Sequence, residues 1–165
     1  MAQEFTDAIA LLKADHRKVE DLFAKFEKAG ESSKQAIAEQ ICNELKIHSM
    51  LEEEIFYPAC EGKVEEDDLK EAYVEHDGAK VLINDIMSGG DDEFYDAKVK
   101  VLQEEIEHHV KEEEQREEGI FAQARKGGVD VEGMLEPMLA RKQELTAQAE
   151  AGGLPPAKLT TVETA

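Results

Sequence analysis

The sequence predicts an all-α protein: an up-down-up-down antiparallel four-helix bundle with a short C-terminal fifth helix and a flexible tail. Three observations lead there. Apolar residues recur at alternating steps of three and four in four successive segments, which lines them along one face of a helix. Glycine, proline and capping residues separate those segments. Within each apolar stripe, one histidine takes a place where Leu or Ile is expected: His16, His48, His76 and His109.

The first helix begins near Thr6 or Asp7, carries Ile9, Leu12, His16, Val19, Phe23 and Phe26 on its stripe, and stops at Gly30. Ser32-Ser33-Lys34-Gln35 has the form of a capping box and opens the second helix. Its stripe is Ile41, Leu45, His48, Glu52, Ile55 and Ala59, and it ends around Tyr57-Pro58, because proline lacks an N–H and restricts the residue before it. The acidic run Glu65–Asp68 suits the N-terminus of a third helix, which carries Leu69, Ala72, His76, Ala79, Ile83 and Ile86 and ends at Gly89-Gly90. Asp91 and Asp92 open the fourth, with Val99, Leu102, Ile106, His109, Glu113, Glu117 and Ile120, running to about Lys126. Short connections make sequential helices antiparallel neighbours. Residues 1–128 thus form the bundle. Residues 129–165 form the extension, with a helix over 137–149 packed through Met134, Met138 and Leu145, then the tail from Gly152.

The chain of 165 residues is long enough for one domain with a sizeable core. Its 39 acidic against 19 basic residues give a formal charge of −20. That balance argues against nucleic acid and against an anionic membrane as partners, and describes a solvated exterior. No apolar run is long enough to span a bilayer, and the first residues do not resemble a secretory signal. Cys42 and Cys60 form no CxxC motif and read as reduced thiols of a cytoplasmic protein, in packing or surface positions.

About 30 residues separate successive stripe histidines. Helices of roughly 20 to 30 residues joined by short loops bring all four to one transverse layer. His48 and His109 each carry a glutamate four residues on, Glu52 and Glu113, on the same face. Burying those carboxylates without a cation would cost several kcal/mol, and no Lys or Arg shares the inner stripes at that level. The expected metal ligands are therefore His16, His48, Glu52, His76, His109 and Glu113. Mixed imidazole and carboxylate donors favour non-haem iron or manganese, with zinc an open alternative, and bridging carboxylates let six side chains hold two ions. His108 with Glu112 is the competing pair on the fourth helix, but its stripe is mostly polar. Glu53 or Glu112 are candidates to accept a hydrogen bond from a ligand imidazole. Tyr57 and Tyr73 lie near enough in sequence to approach the site, with core packing as their expected role.

At these residues the chain resembles the hemerythrin-like HHE cation-binding family. The segments that carry the resemblance are LKADHRKVEDLF, LKIHSMLEEEIFYPA, YVEHDGAKVLI and IEHHVKEEE, across roughly residues 5 to 126. The resemblance implies a four-helix bundle around a non-haem di-iron centre, with Glu52 and Glu113 as bridges. The chain departs from the oxygen-carrying members, which have five histidine ligands, and leaves one position to water, tyrosine or another glutamate.

The functional expectation is a protein whose two iron ions bind, sense or react with dioxygen, nitric oxide or peroxide. The alternative is an iron buffer or donor with no chemistry of its own. Neither reading names a redox partner.

Overall fold

A computed structural model describes residues 4–89 and 93–162. Helix α1 (Ala8–Lys28) is capped by Asp7, whose Oδ1 accepts the Ala10 N–H at 2.9 Å. Helix α2 (Glu31–Leu51) starts one residue before the expected capping box, with Gly30 at its cap position. It continues through a π-helical turn (Glu52–Phe56) into the single turn α3 (Tyr57–Cys60). Helix α4 (Glu66–Ser88) has the expected acidic first turn, and α5 (Tyr95–Glu114) follows. The expected boundary residues Gly90, Asp91 and Asp92 lie outside the described residues.

Two expectations need correction. The helical run passes Pro58 and ends at Cys60, with Pro58 directly after the π turn in the first turn of α3. The fourth helix does not run to Lys126. It ends at Glu114, and a separate α6 (Ile120–Lys126) follows. Gly119 makes this break possible. A Cβ there would lie 2.6 Å from backbone atoms of Gln115 and Glu113, so the chain folds back on itself only with glycine. Glu117, expected on the inner stripe, is exposed as a result, while Ile120, Phe121 and Ala124 enter the core.

Helices α1, α2, α4 and α5 pack around a common axis, each against its neighbours, and α7 (Leu135–Ala151) lies against α1 and α2. The apolar interior divides into two clusters. One holds Leu11, Leu12, Leu51, Phe56, Leu69 and Phe121; the other holds Val19, Phe23, Ile41, Leu45, Ile83 and Leu102. Along α1 and α4 the chain passes from the first cluster to the second; along α2, and again from α5 into α6, it passes back. That alternation is the up-down-up-down course. A polar layer lies between the clusters, and it contains the four stripe histidines.

The extension shares this core. Met134, Met138 and Leu145 are buried in the first cluster, and α7 exceeds the expected 137–149 by two residues at each end. The stretch expected to be a flexible tail has no helix, yet residues 155–161 are held by side chains of α2 and α4. Asn84 and Ala157 exchange two hydrogen bonds, at 2.7 and 2.9 Å. Asp77 accepts the backbone N–H groups of Thr160 and Thr161 at 2.8 and 2.6 Å. Burial pushes the Asp77 carboxyl up, but the Thr161 hydroxyl, which donates at 2.6 Å, and these two backbone N–H groups hold it down at about 2. Among the described residues, no helix is long and apolar enough to cross a membrane.

Candidate metal centre

All six expected ligands lie in the polar layer, and each is 0–6% exposed. The imidazoles form two pairs. His16 and His48 approach through Nε2 at 3.2 Å, and His76 and His109 do so at 3.1 Å. The glutamates join the pairs. Glu52 Oε1 is 3.1 Å from His48 Nε2 and 3.2 Å from His76 Nε2. Glu113 places Oε1 3.2 Å from His16 Nε2 and Oε2 3.4 Å from His109 Nε2. His108 points outward, 65% exposed, and pairs with Glu112 at 3.0 Å and Glu75 at 3.3 Å. The competing pair on α5 is thus on the surface.

The second nitrogen of every one of these imidazoles meets a carboxylate. His48 Nδ1 faces Asp15 at 3.0 Å, His76 faces Glu53 at 2.9 Å, His109 faces Glu75 at 2.7 Å and His16 faces Glu114 at 2.5 Å. Each carboxylate lies beside an expected ligand in sequence and serves the next helix around the bundle: α1 to α2, the π turn to α4, α4 to α5, and α5 back to α1. The four acceptors therefore close a ring. Each ring carboxylate has a basic side chain of its own: Lys142 on Asp15, Lys80 on Glu53, His108 on Glu75 and Arg17 on Glu114. Glu53 was among the expected acceptors. Glu112 instead pairs with His108. Asp15 and Glu75 lie one residue off the expected ligand stripe and carried no signal of their own, while Glu114, expected to be a solvated position, is half-buried against His16.

This ring fixes the chemistry inside it. An ionised carboxylate only accepts, so each Nδ1 carries the proton and each Nε2 turns a lone pair inward. Facing lone pairs need a shared proton or a metal ion. Two donors about 2.1 Å from one ion stand about 3.0 to 3.4 Å apart for angles between 90° and tetrahedral. The donor spacings of 3.1–3.4 Å fall in that range. Glu52 Oε2 and Glu113 Oε1 are buried without a hydrogen-bond partner among the described residues. A cation supplies what those atoms lack.

The electrostatics agree. Burial opposes a charged His48, but the Glu52 charge and the Asp15 and Glu52 contacts outweigh it and raise the imidazole to about 10. His16 and His109 are raised for the same reason, against burial, by Glu113 and by their ring carboxylates. Burial pushes the Glu113 carboxyl up, and the neighbouring His109 and His16 hold it well below the usual range. The site holds positive charge strongly, whether as protons or as metal.

Tyr57 reaches the centre, and the π turn accounts for it. Five α-helical steps place two side chains about 140° apart. A π turn closes its hydrogen bonds one residue later and brings Tyr57 round to the face of Glu52. The Tyr57 hydroxyl donates to Glu113 Oε2 at 2.6 Å and lies 3.3 Å from Glu52 Oε1, His76 Nε2 and His109 Nε2. The same extra residue shifts the inner stripe. Phe56, Tyr57 and Cys60 are buried where Ile55 and Ala59 were expected. Tyr73 packs on the Tyr57 ring at 5.2 Å and takes no place among the donors. Burial, with Glu113 and Glu52 nearby, raises the Tyr57 phenol well above its ordinary value.

An apolar cavity of about 30 Å³ adjoins the four imidazoles, walled by Val19, Leu45, Ala79, Ile83, Ile106 and Val110. One to two water-sized molecules fill such a volume. On the opposite side, Phe121 of α6 stacks on His16 with centroids 5.9 Å apart.

A profile of the hemerythrin HHE cation-binding domain matches residues 7–121. A protein named DNA nickase from Nostoc sp. (strain PCC 7120) is 33% identical over 107 residues, which is 63% of this chain and 30% of that protein. The chain therefore spans less than a third of this relative, and the expected exclusion of nucleic acid draws no support from the comparison. A crystal structure of a hemerythrin HHE cation-binding domain-containing protein from Mycobacterium kansasii superposes with a TM-score of 0.74 at 20% identity, covering 91% of this chain and 96% of that one.

Proposed function

The chain belongs to the hemerythrin HHE cation-binding domain family, and we propose from that premise that it holds two non-haem iron ions and binds a small ligand at them. His16 and His48 would hold one ion and His76 and His109 the other, with the Glu52 and Glu113 carboxylates, which lie between the pairs, as ligands shared by both. The ligand is dioxygen, nitric oxide or peroxide. The observation that carries the reading is the pairing of inward Nε2 atoms around two buried carboxylates, each with an oxygen that lacks a donor. The ring of Nδ1 acceptors supports it, because such partners fix the tautomer and orientation of ligand imidazoles. Cytoplasmic location belongs to the same proposal and rests on the free, buried Cys42 and Cys60.

A bound iron pair supplies redox electrons and an open coordination position. The chain's own residues do the remainder. Val19, Leu45, Ala79, Ile83, Ile106 and Val110 exclude water from the cavity and admit only a ligand of few atoms. Tyr57 keeps its proton, donates it in a hydrogen bond to Glu113, and lies 3.3 Å from Glu52 and from both imidazoles of the His76–His109 pair. Iron buffering without chemistry is the weaker reading, because ligands 0–6% exposed do not favour rapid exchange.

The test is optical. The reduced, iron-loaded chain is expected to change its spectrum with nitric oxide or dioxygen. Unchanged spectra with nitric oxide, dioxygen and peroxide would remove the ligand-binding reading and leave the buffer.

A further inference from the structure

The C-terminal extension touches the ring of carboxylates at two points. From α7, Lys142 Nζ donates to Asp15 Oδ1 at 2.5 Å, and the other oxygen of Asp15 faces His48. From the tail, the Thr160 hydroxyl donates to Glu53 Oε1 at 2.5 Å, and the other oxygen of Glu53 faces His76. One contact serves each histidine pair. Neither contact is incidental to a wandering chain. The tail is pinned on both sides of Thr160, by Asn84 at Ala157 and by Asp77 at Thr161. Lys80, 5% exposed, joins Glu53, Asp77 and Thr160 at 2.9 to 3.4 Å. Ser49 and Lys80 line the apolar cavity on their inner side and the groove that holds residues 154–160 on their outer side.

We propose that Thr160 and Lys142 are positioning residues of the metal centre: the extension clamps Glu53 and Asp15, and through them fixes His76 and His48. The proposal rests on the reading of the six buried residues as metal ligands. Its physical basis is that a carboxylate with one oxygen bonded to an imidazole swings about that bond unless its second oxygen is also held. At Asp15 the Lys142 ammonium of α7 holds the second oxygen; at Glu53 the Thr160 hydroxyl holds it together with Lys80 of α4, whose ammonium also donates to Thr160. The extension is thus part of the site rather than an appendage, and loosening it loosens the metal.

The test uses the full chain loaded with Co(II), whose visible spectrum reports ligand geometry. Release to a chelator is followed in the wild type and in Thr160→Val, Thr160→Ser, Lys142→Met, Asn84→Ala and Arg141→Met. Arg141 lies beside Lys142 on α7 but pairs with Glu54, which holds no imidazole. Outer partners of ligand histidines are worth roughly 10- to 100-fold in metal affinity. Thr160→Val and Lys142→Met are expected to speed release about tenfold, each for one of the two ions, and to alter the Co(II) spectrum. Asn84→Ala, which frees the tail away from the ring, is expected to act in the direction of Thr160→Val. Thr160→Ser restores the hydroxyl and is expected to restore the rate, and Arg141→Met is expected to match the wild type. Release and spectra within twofold of wild type in both Thr160→Val and Lys142→Met would overturn the clamp. A wild-type chain that takes up no Co(II) would overturn the metal reading itself.

Discussion

His16 and His48 face each other with their Nε2 atoms 3.2 Å apart, and the opposite nitrogen of each is held by a carboxylate. Either a proton or a metal ion must lie between such lone pairs. The balance between the two occupants governs the behaviour of the layer as a whole, and it yields predictions that separate the groups inside the layer from those around it.

Glu52 and Glu53 adjoin in sequence and differ in role. Glu52 is fully buried between both histidine pairs, while Glu53 lies outside His76. Glu52→Ala is expected to abolish binding of the ion pair. Glu53→Ala is expected to keep the metal with affinity lowered roughly 10- to 100-fold. Metal content after dialysis against a weak chelator distinguishes them, and equal retention would contradict the assignment.

Tyr57→Phe keeps the ring packing and removes the donor to Glu113. A buried acceptor left without its donor costs about 1–3 kcal/mol. The metal-free protein is therefore expected to lose stability by that amount in a denaturant titration. The metal-loaded protein should lose less, because the cation satisfies the carboxylate.

The metal-free fold is expected to depend on pH with a definite sign. His48 rises from 6.5 to about 10 on folding. A group raised in the folded state contributes stability that is complete below about 6.5 and is lost as pH climbs towards 10. His16 and His109 act in the same direction. Glu113 is lowered, so its contribution is present above its ordinary value of 4.5 and is lost on acidification. Melting temperatures of the metal-free chain should fall between pH 6.5 and 10. Metal should flatten that fall, since it replaces the protons and binds only the native state.

Gly119→Ala tests the corrected end of α5. The added Cβ would meet backbone atoms at 2.6 Å, and one of them is the carbonyl oxygen of Glu113. A loss of about 2 kcal/mol or more is expected, from a strained backbone that cannot yield to a rotamer change. Because Phe121 sits on His16 just beyond the turn, metal affinity should fall with it.

The histidine layer was legible because its signal is periodic. His16, His48, His76 and His109 replace core residues on stripes that the apolar pattern defines, and Glu52 and Glu113 follow one turn later. The π turn was not legible. Its extra residue shows in no local preference, and it arises where Glu52 and Tyr57 both turn towards the centre. Ile55 and Ala59 were placed inward for that reason, and Phe56 and Cys60 are there instead. Asp15 and Glu75 were hidden among 39 acidic residues, and Glu114 was expected to be solvated. Their one mark was adjacency to a proposed ligand, and its meaning depends on which helix comes next around the bundle. The tail's contacts were likewise beyond reach, since Thr160 and Glu53 are 107 residues apart.

Elemental analysis of the chain made in iron-replete cells identifies the cation of the layer. The di-iron centre predicts about two irons per chain, falling towards none in Glu52→Ala. A chain that holds no iron as isolated, and takes up none under anaerobic reconstitution, would contradict it and leave protons as the cations of the layer.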